Sequence, residues 1–206
     1  MNNNFLSAVN YTSKLCAMKN ALKNIFLVGI LVNCATAFAQ LPTRIVSGKL
    51  LINEGSLTPR QEKYGKLADS LDKNLKANPK DTTCLFYRAL LLDRFNEQLA
   101  KPSPGEKGAL ENLQLAATLV EKAISLKMQD FRLKVLRAQI YKDLCYRFGG
   151  DQSWQFNVKQ VIERRKLFSS YKQLTNKFYD ELAEIDKDNS YDYQKLKETS
   201  EYPIKS

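Results

Sequence analysis

Between Ala109 and Phe148 the apolar positions recur every three or four residues. Leu113, Ala116, Val120, Ala123 and Ile124 mark one stretch, and Phe131, Val135, Ala138, Tyr141, Leu144 and Cys145 mark the next. That spacing puts each set on one face of an α-helix. Lys127-Met128-Gln129-Asp130 separates the two, and no Gly or Pro interrupts either. A pair of amphipathic helices cannot cover both of its own faces, so neighbouring elements must stack on it.

The flanks supply those neighbours. Tyr64, Leu67, Ala68, Leu71 and Leu75 predict a helix running to about Ala77, with Thr58 as its cap. Pro59 sits in its first turn, where a missing N–H costs nothing. Asn78-Pro79 stops it. Leu85, Phe86, Ala89, Leu92 and Phe95 or Asn96 predict a second helix from Asp81 to about Leu99, and Lys101 to Gly108 reads as a Pro/Gly loop. Downstream of Gly149-Gly150, the residues Leu167, Tyr171, Leu174, Phe178, Leu182 and Ile185 step by fours and threes. They predict a helix from Trp154 to Asp186 capped by Ser153, either continuous or broken near Ser169-Ser170. A short last helix follows Asp188-Asn189-Ser190, with Tyr191, Leu196 and Tyr202 to cover the exposed end. Strand-like sequence is confined to Arg44-Ile45-Val46, inside an extended lead-in over residues 40–58. The expectation is an all-α fold of about six helices, one domain over residues 59–206.

Composition changes near residue 40 and alters this picture. Lys19 and Lys23, the apolar run Ile25 to Val32, and Ala37-Phe38-Ala39 form the three parts of a secretory signal peptide. Residues 1–39 are therefore read as leader and signal, cleaved after Ala39, with Met18 as a candidate start. The apolar run is short for a membrane span. Leu31-Val32-Asn33-Cys34 resembles a lipobox, but Asn33 stands where a small residue belongs, so plain cleavage ranks above lipid attachment at Cys34. The expected location is the periplasm or cell envelope.

Export changes how charge is read. The first 39 residues hold three lysines and no acids, which leaves 29 basic against 22 acidic residues, and residues 151–206 hold ten of each. The excess lies between 40 and 150. Outside the cytoplasm it points away from nucleic acid; a solvated basic face is the plain reading, with peripheral contact to anionic lipid or glycan as the alternative. Cys84 and Cys145 survive cleavage and are a candidate disulfide, although both sit on apolar helical faces where a thiol also serves as a small core residue.

The chain contains no histidine. That excludes Ser-His-Asp and Cys-His catalysis and removes the commonest metal ligand, and two isolated cysteines do not make a zinc set. Asp186 to Asp192 begins like a calcium loop, but Tyr191 stands at the glycine place and Lys197 at the glutamate place. Glu181 and Glu184 share a helical face and read as solvated carboxylates. No catalytic residue, metal or cofactor is expected.

Tyr87-Arg88-Ala89 with Leu92 recurs as Leu136-Arg137-Ala138 with Tyr141, and each copy follows a helix and a turn. Ala89 and Ala138 hold a small place, Ala116 and Ala123 hold two small places on the partner helix, and Pro79 holds a closing place. This arrangement resembles the tetratricopeptide repeat, a 34-residue unit of paired antiparallel helices. The likeness covers about Pro59 to Phe148, and Leu174 to Leu196 more loosely. The chain departs from it in a longer period, in Arg88 and Arg137 before the small residue, and in Met128 at the second closing place.

The resemblance implies a right-handed α-α superhelix with a concave groove, and a protein- or peptide-binding adaptor rather than an enzyme. On this sequence the groove maps to Phe86, Leu90, Asp93 and Arg94 in one copy and to Arg132, Val135, Gln139 and Lys142 in the other. Arg94, Arg132 and Lys142 are the cations expected to meet carboxylates of an acidic peptide. The partner's identity and the oligomeric state are not encoded in these patterns.

Overall fold

The computed structural model describes residues 41–53, 61–96 and 108–205. The signal peptide, the cap and first turn at Thr58-Pro59, the end of the second helix beyond Asn96 and the loop at 101–107 lie outside the described residues. Residues Thr43–Ser206 form one compact unit.

The order is β1 (Thr43–Val46), β2 (Lys49–Ile52), α1 (Gln61–Ala77), α2 (Thr82–Asn96), α3 (Ala109–Ser125), α4 (Phe131–Tyr146), a 3-10 turn (Ser153–Gln155), α5 (Val158–Ile185), a second 3-10 turn (Lys187–Asn189) and α6 (Ser190–Leu196). The described chain is mostly helical. β1 and β2 form an antiparallel hairpin with Val46 opposite Lys49 and Ile45 opposite Leu50. Ser47 and Gly48 both have positive φ, as the tight turn of a two-residue hairpin requires. Glycine has a second reason at position 48, since a Cβ there would stand 2.8 Å from Leu196 Cδ1.

Each helix packs on its neighbours in sequence, and β2 lies on α4. α1 and α2 form one pair and α3 and α4 a second, with α5 stacked on α4. Asp81 and Asp130 open the second helix of each pair in the same way: Asp81 Oδ1 accepts from the Cys84 amide at 3.0 Å, and Asp130 Oδ1 from the Arg132 amide at 2.9 Å. Such a cap satisfies a donor that the first helical turn leaves over. α3 ends differently from α1. Met128 N–H reaches Ala123 O and Lys127 N–H reaches Ile124 O, with Lys127 at φ 66°. This is a Schellman ending. It uses the amide that a proline at position 128 would lack, which accounts for the missing closing proline.

Ser153 does not cap the long helix. Asn157 does, accepting from the Gln160 amide while Gln160 Oε1 accepts from Asn157 N–H, and Gln152 with Gln155 forms the same box one turn earlier. α5 then runs without a break through Ser169-Ser170, about 42 Å at 1.5 Å per residue.

Its buried face is turned from the predicted one. Leu167 and Ile185 are exposed, while Phe168, Thr175, Phe178, Tyr179, Leu182 and Ala183 face inward. The predicted row keeps the α-helical repeat but lies along one edge of the buried face, not its centre. Tyr179 and Phe168, each next to a predicted position, make the observed contacts. In α6 the covering aromatic is Tyr193, fully buried, and Tyr191 stays in solvent. α2 is buried on nearly all sides, so its apolar pattern is close to continuous rather than striped.

Candidate functional site

The face expected to bind a peptide is largely filled by this chain itself. Phe86 and Leu90 are fully buried, and Arg94 and Gln139 are 4% exposed, so these four offer almost no surface to a ligand. Asp93, next to them, is also fully buried. The reason is visible residue by residue along α4. Gln139 Nε2 donates to Asp93 Oδ2 at 2.6 Å, and Gln139 Oε1 accepts from the Leu50 amide at 3.0 Å. Arg132 chelates Asp130, donates to Thr43 Oγ1 at 3.0 Å and stands over the Phe86 ring. Lys142 reaches Glu198 Oε2 at 2.9 Å. The hairpin thus occupies one part of the α4 face and the C-terminal segment another.

The polar identities at 132, 139 and 142 were legible in the sequence as groove residues. Most of their partners were not, because Asp93, Glu198, Leu50 and Thr43 lie 46 to 89 positions away. The sequence reading also missed a buried junction at the end of α2. There Asn96 Nδ2 donates to Ala109 O at 2.6 Å and Arg147 donates to Asn96 O at 3.0 Å. A Pro/Gly loop between Asn96 and Ala109 gives no hint that its two ends are held together.

Arg88 and Arg137, the two departures from an apolar repeat position, have the same explanation. Arg88 Nε donates to Asp72 at 2.7 Å; Arg137 donates to both oxygens of Glu121 at 2.6 and 2.8 Å. Each acid sits sixteen residues before its arginine, on the first helix of the same pair. Arg137 also stacks on Phe178 at 3.6 Å, which ties the second pair to α5. Tyr141 donates to Glu121, and burial, helped by that carboxylate, pushes its phenol up to about 12.

Cys84 and Cys145 are separate buried thiols with no disulfide between them. Cys84 lies in the first turn of α2 and Cys145 in the last turn of α4, where its sulfur faces Thr175 Oγ1 at 3.7 Å. Burial pushes the Cys145 thiol up to about 12, so at neutral pH it is not a thiolate nucleophile. Glu181 and Glu184 are each beside a lysine, Lys177 at 3.9 Å and Lys187 at 2.6 Å. Asp186 accepts from Asn189 and from Tyr193. Among the described residues there is no group of three metal-ligating side chains.

The C-terminal segment is held by charge. Burial acts to raise the Glu198 pKa, but hydrogen bonds from Ser200 and from Lys142 outweigh it and hold the carboxyl below its ordinary value. A lowered folded-state pKa means stability that is present above the ordinary glutamate value and lost as pH falls through the lowered one. Acidification below about pH 4 is therefore expected to loosen residues 197–202 from α4 and α5. Amide exchange of Glu198 and Ser200, measured from pH 6 downward, checks this. Glu198→Gln should abolish the pH dependence of their protection.

Besides an open concavity of about 480 Å³ along α5 at Ile162, Arg165, Lys166 and Ser169, two others stand out among the described residues. A shallow one of about 750 Å³ lies between α5 and the C-terminal segment, but Arg165 is engaged there by Ile204 O, and Lys172 by Ser200 O and Glu201. The other, about 290 Å³, lies where the α3–α4 turn meets the end of α5. Leu133, Phe178 and Leu182 floor it, and Lys127, Lys134 and Glu181 rim it. No protein-family model matches the chain, and no curated protein and no solved structure matches it either.

Proposed function

We propose that the chain is an exported, non-enzymatic helical-repeat protein of tetratricopeptide-like organisation, which binds a protein or peptide partner in the cell envelope. The observation that carries this reading is the duplicated helix pair. Asp81 and Asp130 as caps, Asp72 and Glu121 as acids, and Arg88 and Arg137 as their partners recur at one constant separation, with Ala89 and Ala138 beside them. Stacked pairs of this kind make long surfaces that suit binding rather than a deep reaction pocket. Gln139 illustrates the mode, since it holds an extended strand through that strand's backbone amide. With the α4 face filled, the partner site falls to the cavity over Leu133, Phe178 and Leu182. Its lysine rim favours an acidic segment bearing one or two apolar side chains.

A photo-crosslinking residue in place of Lys134 tests this in the full chain, expressed in its own host, with the same residue in place of Lys195 as control. A single protein joined from position 134 and not from 195, and lost when Lys127 is changed to Glu, is the expected result. Equal labelling from both positions, or none from 134, would remove the adaptor reading.

A further inference from the structure

α5 carries its charge against its own dipole. From Val158 to Lys177 it holds Lys159, Arg164, Arg165, Lys166, Lys172 and Lys177 against Glu163, whereas Asp180, Glu181 and Glu184 crowd its last turns. A helix N-terminus disfavours nearby cations, so this polarity does not serve the helix. Arg164, Arg165 and Lys172 are explained by contacts to Asp151, Ile204 O and the segment at Ser200-Glu201. Lys159 and Lys166 are exposed on the outward side.

Apolar residues share that side. Trp154 is 80% exposed, Val158 78% and Ile162 60%. They follow one another by steps of four, and the next step is Lys166, so on the helix Val158, Ile162 and Lys166 form one outward row with Lys159 beside it. Single exposed apolar side chains are ordinary, but a tryptophan and two branched aliphatics in a row are a patch. The face belongs to one helix, and the concavity beside it, lined by Ile162, Arg165, Lys166 and Ser169, is wide and open to solvent rather than a slot for one side chain.

We infer that the N-terminal half of α5, with Trp154, is a docking surface for an anionic lipid bilayer. Tryptophan settles at the headgroup level, the aliphatic row enters the acyl boundary, and lysines on either side meet the lipid phosphates. An exposed tryptophan and aliphatic row flanked by lysines matches the layered chemistry of an anionic bilayer surface, acyl chains below and phosphates above. Charge averages hide the surface, because eight of the ten acids of residues 151–206 lie at Asp180 or beyond and cancel its lysines only in the sum. This inference is independent of the partner cavity near Lys134.

Trp154 is the only tryptophan in the chain, so its emission reports on this surface alone. The experiment records the emission of the full chain with vesicles of phosphatidylcholine, and with vesicles that also contain phosphatidylglycerol. The expected result is a blue shift and quenching by bromine-labelled acyl chains with the anionic vesicles only, reversed by high salt. Lys159→Glu with Lys166→Glu should weaken the interaction about tenfold or more, with helicity unchanged by circular dichroism. Co-sedimentation without any Trp154 response would mean attachment through another segment and would overturn the inference. So would an equal shift with both vesicle types, or a blue shift that appears without lipid as protein concentration rises, which would assign the face to a second copy.

Discussion

Asp151→Asn is expected to lower the stability of the folded unit by about 3 kcal/mol or more, the usual cost of breaking a buried ion pair from one side. The Asp151 side chain has no exposed surface. Its two oxygens accept from Arg164 at 2.6 and 2.7 Å, and Oδ2 also accepts from Tyr202 OH at 2.8 Å. Arg164 lies over the Phe148 and Phe156 rings at 4.6 and 4.5 Å, so the guanidinium left behind could not turn to solvent without unpacking both. Cys145, Phe148, Phe168 and Tyr202 form the core cluster beside this pair, with Ile204 against it. The asparagine keeps the shape, removes the charge and puts an NH2 group, which cannot accept from Arg164, in place of one carboxylate oxygen. Equilibrium denaturation should show a midpoint shift at nearly constant m, and a melting temperature lower by roughly 10 °C for a unit of this size. Tyr202→Phe removes a single hydrogen bond from the same carboxylate and should cost only about 1 kcal/mol. If the two variants lose the same small amount, the ion pair does not hold the C-terminal segment.

Leu50→Ala is expected to cost about 3 kcal/mol, within the range for a fully buried leucine. Leu50 and Ile52 are the inward residues of β2, and a two-stranded hairpin has little stability without a partner surface. Much of the loss should therefore appear as local release of residues 43–52 from α4 rather than as global unfolding. Limited proteolysis provides the check. Cleavage between Thr43 and Ile52 should speed up in the variant while α2 and α4 remain resistant. Uniform sensitivity throughout the chain would mean that the hairpin is no separate unit.

The helical pairs were legible because their information is local. Three-and-four spacing, the break at Lys127 to Asp130 and the turn at Asn78-Pro79 each lie within one or two turns of what they determine. The two arginines before Ala89 and Ala138 were legible as anomalies, and pairing with an acid across the repeat is what they do. What could not be read depends on chain returning from far away. Nothing near Gln139 announces Leu50, and nothing near Lys142 announces Glu198. The same residue types that make a peptide groove in one repeat protein make an internal junction here. The rotated face of α5 failed for a different reason. Its predicted row and its true row differ by single steps, and aromatic residues stand on both. Trp154, Val158 and Ile162 were read as part of a helix, but their exposure depends on which elements pack against α5, which no local pattern encodes.

The hairpin stands on the helical face that a peptide would otherwise take. Hydrogen exchange at the Leu50 amide tests it most directly, since that N–H donates to Gln139. Leu50 should exchange only through substantial opening, orders of magnitude more slowly than the exposed turn residue Ser47, and Gln139→Ala should remove most of that protection while α3 and α4 stay folded. Exchange of Leu50 at the rate of an open loop in the unmodified chain would contradict the account and return the α4 face to an external ligand.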